Sequence, residues 1–194
     1  FTIDGQIRPR FEHRNGYKQL TDSSKTASNF VSQRTRIRFA YKKDNLEMKI
    51  SFQDVHTWGA MTPKKQDGVS MGMHEGWAKW NFTDNCFFKI GRQELLYDNG
   101  RLMTNSNWNQ VGFTHDALLV GYITDKWNIQ SAFAYNQLGG TFGNDYYNGT
   151  EAYKFLNTLW FSRKFEKLTV SLLNVADLKQ KNDTTNIDYL RNTI

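Results

Sequence analysis

The sequence predicts an all-β protein, an antiparallel up-and-down transmembrane β-barrel of which 194 residues supply about ten strands. Three observations carry that expectation. Hydrophobicity alternates with a period of two, connections alternate between short and long, and aromatic side chains gather toward both ends of the strands.

The elements follow in order. In the first strand Phe1, Ile3, Gly5, Ile7, Pro9 and Phe11 form one apolar or small set, and Asp4, Gln6, Arg8, Arg10, Glu12 and Arg14 the opposite polar set. The second strand, near Phe30–Tyr41, puts Ser32, Arg34, Arg36 and Arg38 on one face and Val31, Ile37, Phe39 and Tyr41 on the other. In Leu46–Gln53, Leu46, Met48, Ile50 and Phe52 alternate with Glu47, Lys49, Ser51 and Gln53. Further strands are expected at His74–Phe82, Cys86–Tyr97, His115–Ile123, Trp127–Asn136, Tyr153–Phe165, Lys167–Ala176 and Ile187–Ile194. No segment carries a helical period.

Tight polar turns are expected at Lys42–Asn45, Thr83–Asn85, Thr124–Lys126 and Arg163–Glu166. Long Gly-, Asn- and Ser-rich connections lie between them, at Asn15–Asn29, Gly59–Met73, Asp98–Thr114, Gln137–Ala152 and Leu178–Asn186. In outer-membrane barrels the short turns face the periplasm and the long loops face outward. Tyr41, Phe82, Phe88, Tyr122, Trp127, Phe161 and Phe165 sit near the short turns. Tyr17, Trp58, Tyr97, Trp108 and Tyr135 sit toward the other end, as interfacial girdles require.

Composition excludes other classes. Mean hydropathy is −0.68 and the longest apolar run is Ala117–Ile123, far short of the roughly 20 residues of a spanning helix. Aromatics make up 15% and there are only two prolines, which argues against disorder. Cys86 is alone, so neither a disulfide framework nor a thiolate metal cluster is expected. The chain begins on Phe1 without a Met, which fits, without proving, a start after cleavage. One domain spans 1–194.

The formal charge is +6, and its distribution is uneven. Residues 1–50 hold 11 basic and 5 acidic side chains, and the remainder holds 14 of each. An Arg on the lipid face at mid-membrane costs roughly 2–4 kcal/mol, so in a membrane barrel Arg34, Arg36 and Arg38 must face the lumen; alternation alone equally fits an inside-out soluble barrel, and loop asymmetry and the girdles tip the balance. The lumen set is then Arg8, Arg10, Arg34, Arg36 and Arg38, with Lys49, Lys79 and Lys89 secondary and Glu12, Glu47 and Glu75 as counter-charges. These charges either select anions or lock neighbouring strands as ion ladders. Nucleic acid is not an expected partner, because the aromatics lie mainly on the face opposite the arginines. In Phe88–Leu96 the alternation carries Arg92 to the lipid side; a bulge or bend near Gly91, or the end of the membrane band, resolves this.

The stretches FVSQRTR (Phe30–Arg36), SFQDVHTWG (Ser51–Gly59), HEGWAK (His74–Lys79), IGRQELLYD (Ile90–Asp98) and HDALLV (His115–Val120) resemble the alginate export family. These are outer-membrane β-barrels with relatives in Bacteroidetes. The resemblance implies a bacterial outer-membrane location and a porin-like channel with a charged lumen passing an anionic solute or polysaccharide. Lipid and lipopolysaccharide would surround it, other outer-membrane proteins would be further partners, and no cofactor is expected. The family's barrels have more strands than this chain supplies, and IDYLRNTI (Ile187–Ile194) lacks a terminal aromatic. The reading therefore favours the N-terminal part of a larger barrel over a complete small one, since an open edge in lipid is not viable.

Two alternatives remain: a structural or accessory barrel in a larger assembly, and a rim hydrolase. Asp54 and His56 share a strand face, whereas His74–Glu75 and His115–Asp116 are adjacent and should point to opposite sides. HEGWA lacks the second histidine of a zinc-helix motif, and neither metal ligands nor catalytic residues are expected.

Overall fold

The computed structural model describes residues 1–16, 26–60, 71–137, 147 and 153–180, and the backbone of 186–193. The strands are β1 (Thr2–Arg14), β2 (Ser28–Lys43), β3 (Leu46–Thr57), β4 (Met71–Asn81), β5 (Cys86–Gln93), β6 (His115–Ile123), β7 (Trp127–Tyr135), β8 (Phe155–Lys164) and β9 (Thr169–Gln180). The backbone of β10 (Asn186–Thr193) pairs with β9. Every neighbour in sequence is a neighbour in the sheet, and every pairing is antiparallel. Among the described residues there is no helix, and no pairing joins β1 to β10, so this up-and-down sheet is not closed.

The period of two sorts the side chains onto two unlike faces. One face stays open, and it is the apolar one. Ile3, Ile7, Phe11, Ile37, Met48, Ile90, Leu118 and Leu159 are all exposed there. At the short-turn end Tyr41, Phe82, Phe88, Tyr122 and Phe165 join them. The other face is covered and, on β1–β4, charged: Arg34 is 0% exposed and Arg36 3%. Ordinary soluble packing would bury the apolar set, so the sheet is inverted relative to a water-soluble one.

The cover is the connection after β5. Residues 94–114 were expected to form the end of a strand and an outward loop, but they turn onto the charged face. Within β5 the backbone is distorted at Gly91, whose φ is +117° and where a Cβ would lie 2.2 Å from the Gly76 carbonyl oxygen. The ladder continues to Gln93, where β5 ends, rather than to Tyr97. Leu95, Tyr97 and Met103 pack on Ala117, Leu119, Ala132, Ala134, Leu156, Leu173 and Val175 of β6–β9, all under 10% exposed. The small alanines leave room for a second layer of chain, and each large side chain buried contributes about 1.5–3 kcal/mol.

The same segment reaches the opposite end of the sheet. Trp160 of β8 donates to Asp98 at 3.0 Å, while Arg8 of β1 donates to the Asn107 carbonyl at 2.7 Å. The chain doubles back where the Tyr97 amide meets the Met103 carbonyl at 3.3 Å. Only the residues from Thr104 to Asn107 then lead across, a reach of about 14 Å. With the side chains of Trp160 and Arg8 reaching in from either side, the segment bridges β8 and β1 across the covered face.

A register shift between Ser51 and Phe52 corrects a second expectation. Ser51 pairs with Glu75 and Phe52 with Met73, so His74 is the extra residue of a β-bulge. His74 and Glu75 do not point apart. Both are turned to the covered face, each 3% exposed.

Candidate functional site: the charged concave face

The inner charges fall into two groups. Toward the long loops, Arg8, Arg10 and Arg34 hold the inward segment. Arg8 also bonds the Asn109 carbonyl and Gln110 Oε1, the latter at 2.9 Å. Arg10 donates to the Trp108 carbonyl at 2.9 Å and pairs with Glu12 at 2.8 Å, and Arg14 takes the other Glu12 oxygen at 2.6 Å. Arg34 donates to Gln6 Oε1 at 2.6 Å, to Asn107 Oδ1 at 2.9 Å and weakly to the carbonyls of Asn109 and Gln110. Gln110 in turn donates to the Ser32 carbonyl and hydroxyl at 2.9 Å. Backbone carbonyls are strong acceptors that need partners when removed from water, and buried guanidinium forks supply several donors each.

Toward the short turns the charges pair across strands. Arg38 meets Asp4 at 2.5 Å, Lys42 meets Glu47 at 3.1 Å and Lys79 meets Glu47 at 3.9 Å. Lys49 is in close contact with Glu75. Two lysines lie over aromatic rings: Lys89 is 4.1 Å from the Trp77 centroid and Lys79 is 4.5 Å from Phe87. Ten of the eleven expected lumen residues thus fall in these two groups on the charged face, and Arg36 lies between them.

Between the groups stands a cluster the pattern did not reveal. Glu94, the first residue after β5, accepts from His74 Nε2 at 2.9 Å and from Asn105 Nδ2 at 2.8 Å, with Arg36 3.9 Å away. Arg36 also donates to Gln53 Oε1 at 2.7 Å. Burial raises the Glu94 carboxyl, but the bonds from His74 and Asn105 and the charges of His74 and Lys49 outweigh it, leaving it at about 2. His74, Glu75 and Glu94 bring ligand atoms within 4.8 Å of one another. Lys49 and Arg36 compensate the two carboxylates there, so the trio joins an ion network that roots the segment. The break in alternation near Gly91 and Arg92 is the available sign in the sequence, because the chain leaves the sheet just beyond it, at Glu94.

On the open face, Arg92 does point outward, and it pairs with Asp116 at 3.0 Å beyond the Ile90–Leu118 row. The bend and the end of the apolar band therefore coincide. Tyr97, part of the segment, is buried against β6–β9, while Trp108 is exposed and its carbonyl is held by Arg10 toward the long-loop end. Tyr17 lies outside the described residues. Asp54 and His56 are hydrogen-bonded at 2.5 Å and share the open face near the long-loop end.

A family model described as alginate export matches residues 1–185, nearly the whole chain. The chain belongs to the alginate export family. Membership points to outer-membrane polysaccharide export, a transport role rather than an enzymatic one. A search of curated proteins returns no match.

Proposed function

We propose that this member of the alginate export family forms the wall of a bacterial outer-membrane β-barrel, a porin-like channel for anionic polysaccharide or smaller anions. The observation that supports this most is the opposition of the two faces. An exposed apolar band that would cost much free energy in water suits lipid, and the charged face is covered by the inward segment. Closure of such a sheet, with further strands where needed, would remove unpaired edges from lipid.

Selectivity in this account is electrostatic. Rings of guanidinium and ammonium groups lower the barrier for an anion, with no covalent step. The inward segment narrows the passage, and Arg8 and Arg34 are engaged in holding it. Arg10 and Arg38, with side chains 36% and 33% exposed, and Lys49, Lys79 and Lys89 supply the field that a solute meets. In planar bilayers the protein should give anion-selective reversal potentials, and Arg10→Glu with Arg38→Glu should reduce or invert the preference. Cation preference in the unmodified protein would overturn the assignment.

A second reading has its own support. The apolar seal of Leu95, Tyr97 and Met103 on β6–β9 suits a filled barrel acting as an accessory subunit of a larger assembly. Insertion without conductance would favour it. The Asp54–His56 pair does not raise a hydrolase reading above these, because no serine, threonine or cysteine is hydrogen-bonded to His56 among the described residues.

A further inference from the structure

At the short-turn end the open face finishes in a groove lined by Asp125, Lys126 and residues 163–168, between the turn joining β6 to β7 and the turn joining β8 to β9. The two turns are fixed side by side. The Lys164 amide donates to the Lys126 carbonyl at 2.9 Å, and the Phe165 amide closes its own turn on the Leu168 carbonyl at 2.7 Å. Arg163 stands opposite Trp127 on the outward face. Its guanidinium is 4.3 Å from the Trp127 ring centroid and 4.7 Å from that of Phe165, so the rings hold it in place without consuming its hydrogen-bond donors.

The charge here is unlike that on the covered face. Lys126, Arg163, Lys164 and Lys167 face only Asp125 and Glu166, and among the described residues none of the four is in an ion pair. Arg10, Arg36, Arg38, Lys42, Lys49 and Lys79 are all paired with carboxylates. Directly beside these free cations the outer face is exposed and apolar, at Leu168, Val170 and Leu172.

From this juxtaposition we infer that the groove binds the headgroup of an anionic phospholipid. Arg163 and the flanking lysines take the phosphate, and the acyl chains lie along Leu168, Val170 and Leu172. A guanidinium fork suits two phosphate oxygens at once, and the flanking lysines add attraction to an anionic headgroup at a membrane surface. The inference rests on the membrane reading above, with the short turns in the leaflet that offers phospholipid.

Native mass spectrometry of the full chain in detergent micelles, titrated with phosphatidylglycerol or phosphatidylcholine at low ionic strength, tests it. Phosphatidylglycerol should bind at least about fivefold more tightly, and Arg163→Gln should remove about fivefold of that preference. Lys126→Gln with Lys167→Gln should erode it similarly while leaving the Trp127–Phe165 clamp intact. Equal affinity for the two lipids, or an unchanged preference in both variants, overturns the site. Displacement of phosphatidylglycerol by equimolar inorganic phosphate overturns the lipid assignment in favour of a free-anion site. A chain that stays soluble without detergent and does not enter bilayers sinks the membrane reading itself; insertion without lipid preference sinks this inference alone.

Discussion

Replacing Arg34 by Met keeps length and apolar bulk but removes the charge that ties the inward segment to β2. Arg34 is fully buried, so its bonds are made out of water. Its well-formed link to the segment is the one to Asn107 Oδ1 at 2.9 Å; those to the carbonyls of Asn109 and Gln110, at 3.4 and 3.5 Å, add little. A hydrogen bond from a charged donor contributes about 1.5–3 kcal/mol. Arg8 stands directly across from Arg34, so the substitution also relieves a like-charge contact and offsets part of the loss. The net loosening should be about 1.5–2 kcal/mol, a roughly 10- to 30-fold rise in segment opening. Hydrogen exchange of the Phe113 and Asn109 amides, bonded to the carbonyls of Asn105 and Ser106, reads that opening directly. Unchanged exchange in a variant whose sheet amides remain protected would refute the role of Arg34 as a tether.

Other perturbations test other joints. Gly91→Ala places a Cβ 2.2 Å from the Gly76 carbonyl at a φ of +117°, and should destabilise the fold by at least about 2 kcal/mol in urea-dependent unfolding. Leu95→Ala removes a side chain 2% exposed from beneath the segment and should cost about 2–5 kcal/mol by the same measurement, with new protease cleavage within 94–114. Leu118→Arg, on the open face between Ile90 and Phe133, should cost about 2–4 kcal/mol in bilayers. Glu94 has its folded value lowered from 4.5 to about 2, so its anchoring is complete above pH 4.5 and is lost as pH falls toward 2. Protease cutting of the segment should rise over that window, and Glu94→Gln should flatten the dependence.

The local pattern of the sequence carried much of this fold and little of its interior. Alternation in β1–β3 separates Arg8, Arg34 and Lys49 from Ile7, Ile37 and Ile50 because a strand has only two faces. Turn chemistry located the short connections for the same local reason. What the period cannot express is a change of direction. FKIGRQELLY reads as one strand to Tyr97 despite the break in phase at Arg92, yet the chain leaves the sheet after Gln93, two residues beyond the positive-φ Gly91. Glu94, Gln110 and Asn107 become important only through partners far away in sequence. The same limit explains His74 and Glu75, which a one-residue bulge turns to one side. The apolar inner faces of β6–β9 fit a segment packed above them, and nothing in those strands says that a segment is there.

The central claim is that the open apolar face meets lipid and the covered face does not. Leu118 and Leu119 are consecutive in β6, 39% and 6% exposed, on opposite faces. Spin labels at cysteines placed at each position, in a Cys86→Ser background reconstituted in bilayers, can be probed with dissolved oxygen and with a water-soluble nickel chelate. The label at 118 should be accessible to oxygen and shielded from nickel, and the label at 119 shielded from both. A label at 118 that the nickel chelate relaxes as in water, or one at 119 that behaves as lipid-exposed, would contradict the account.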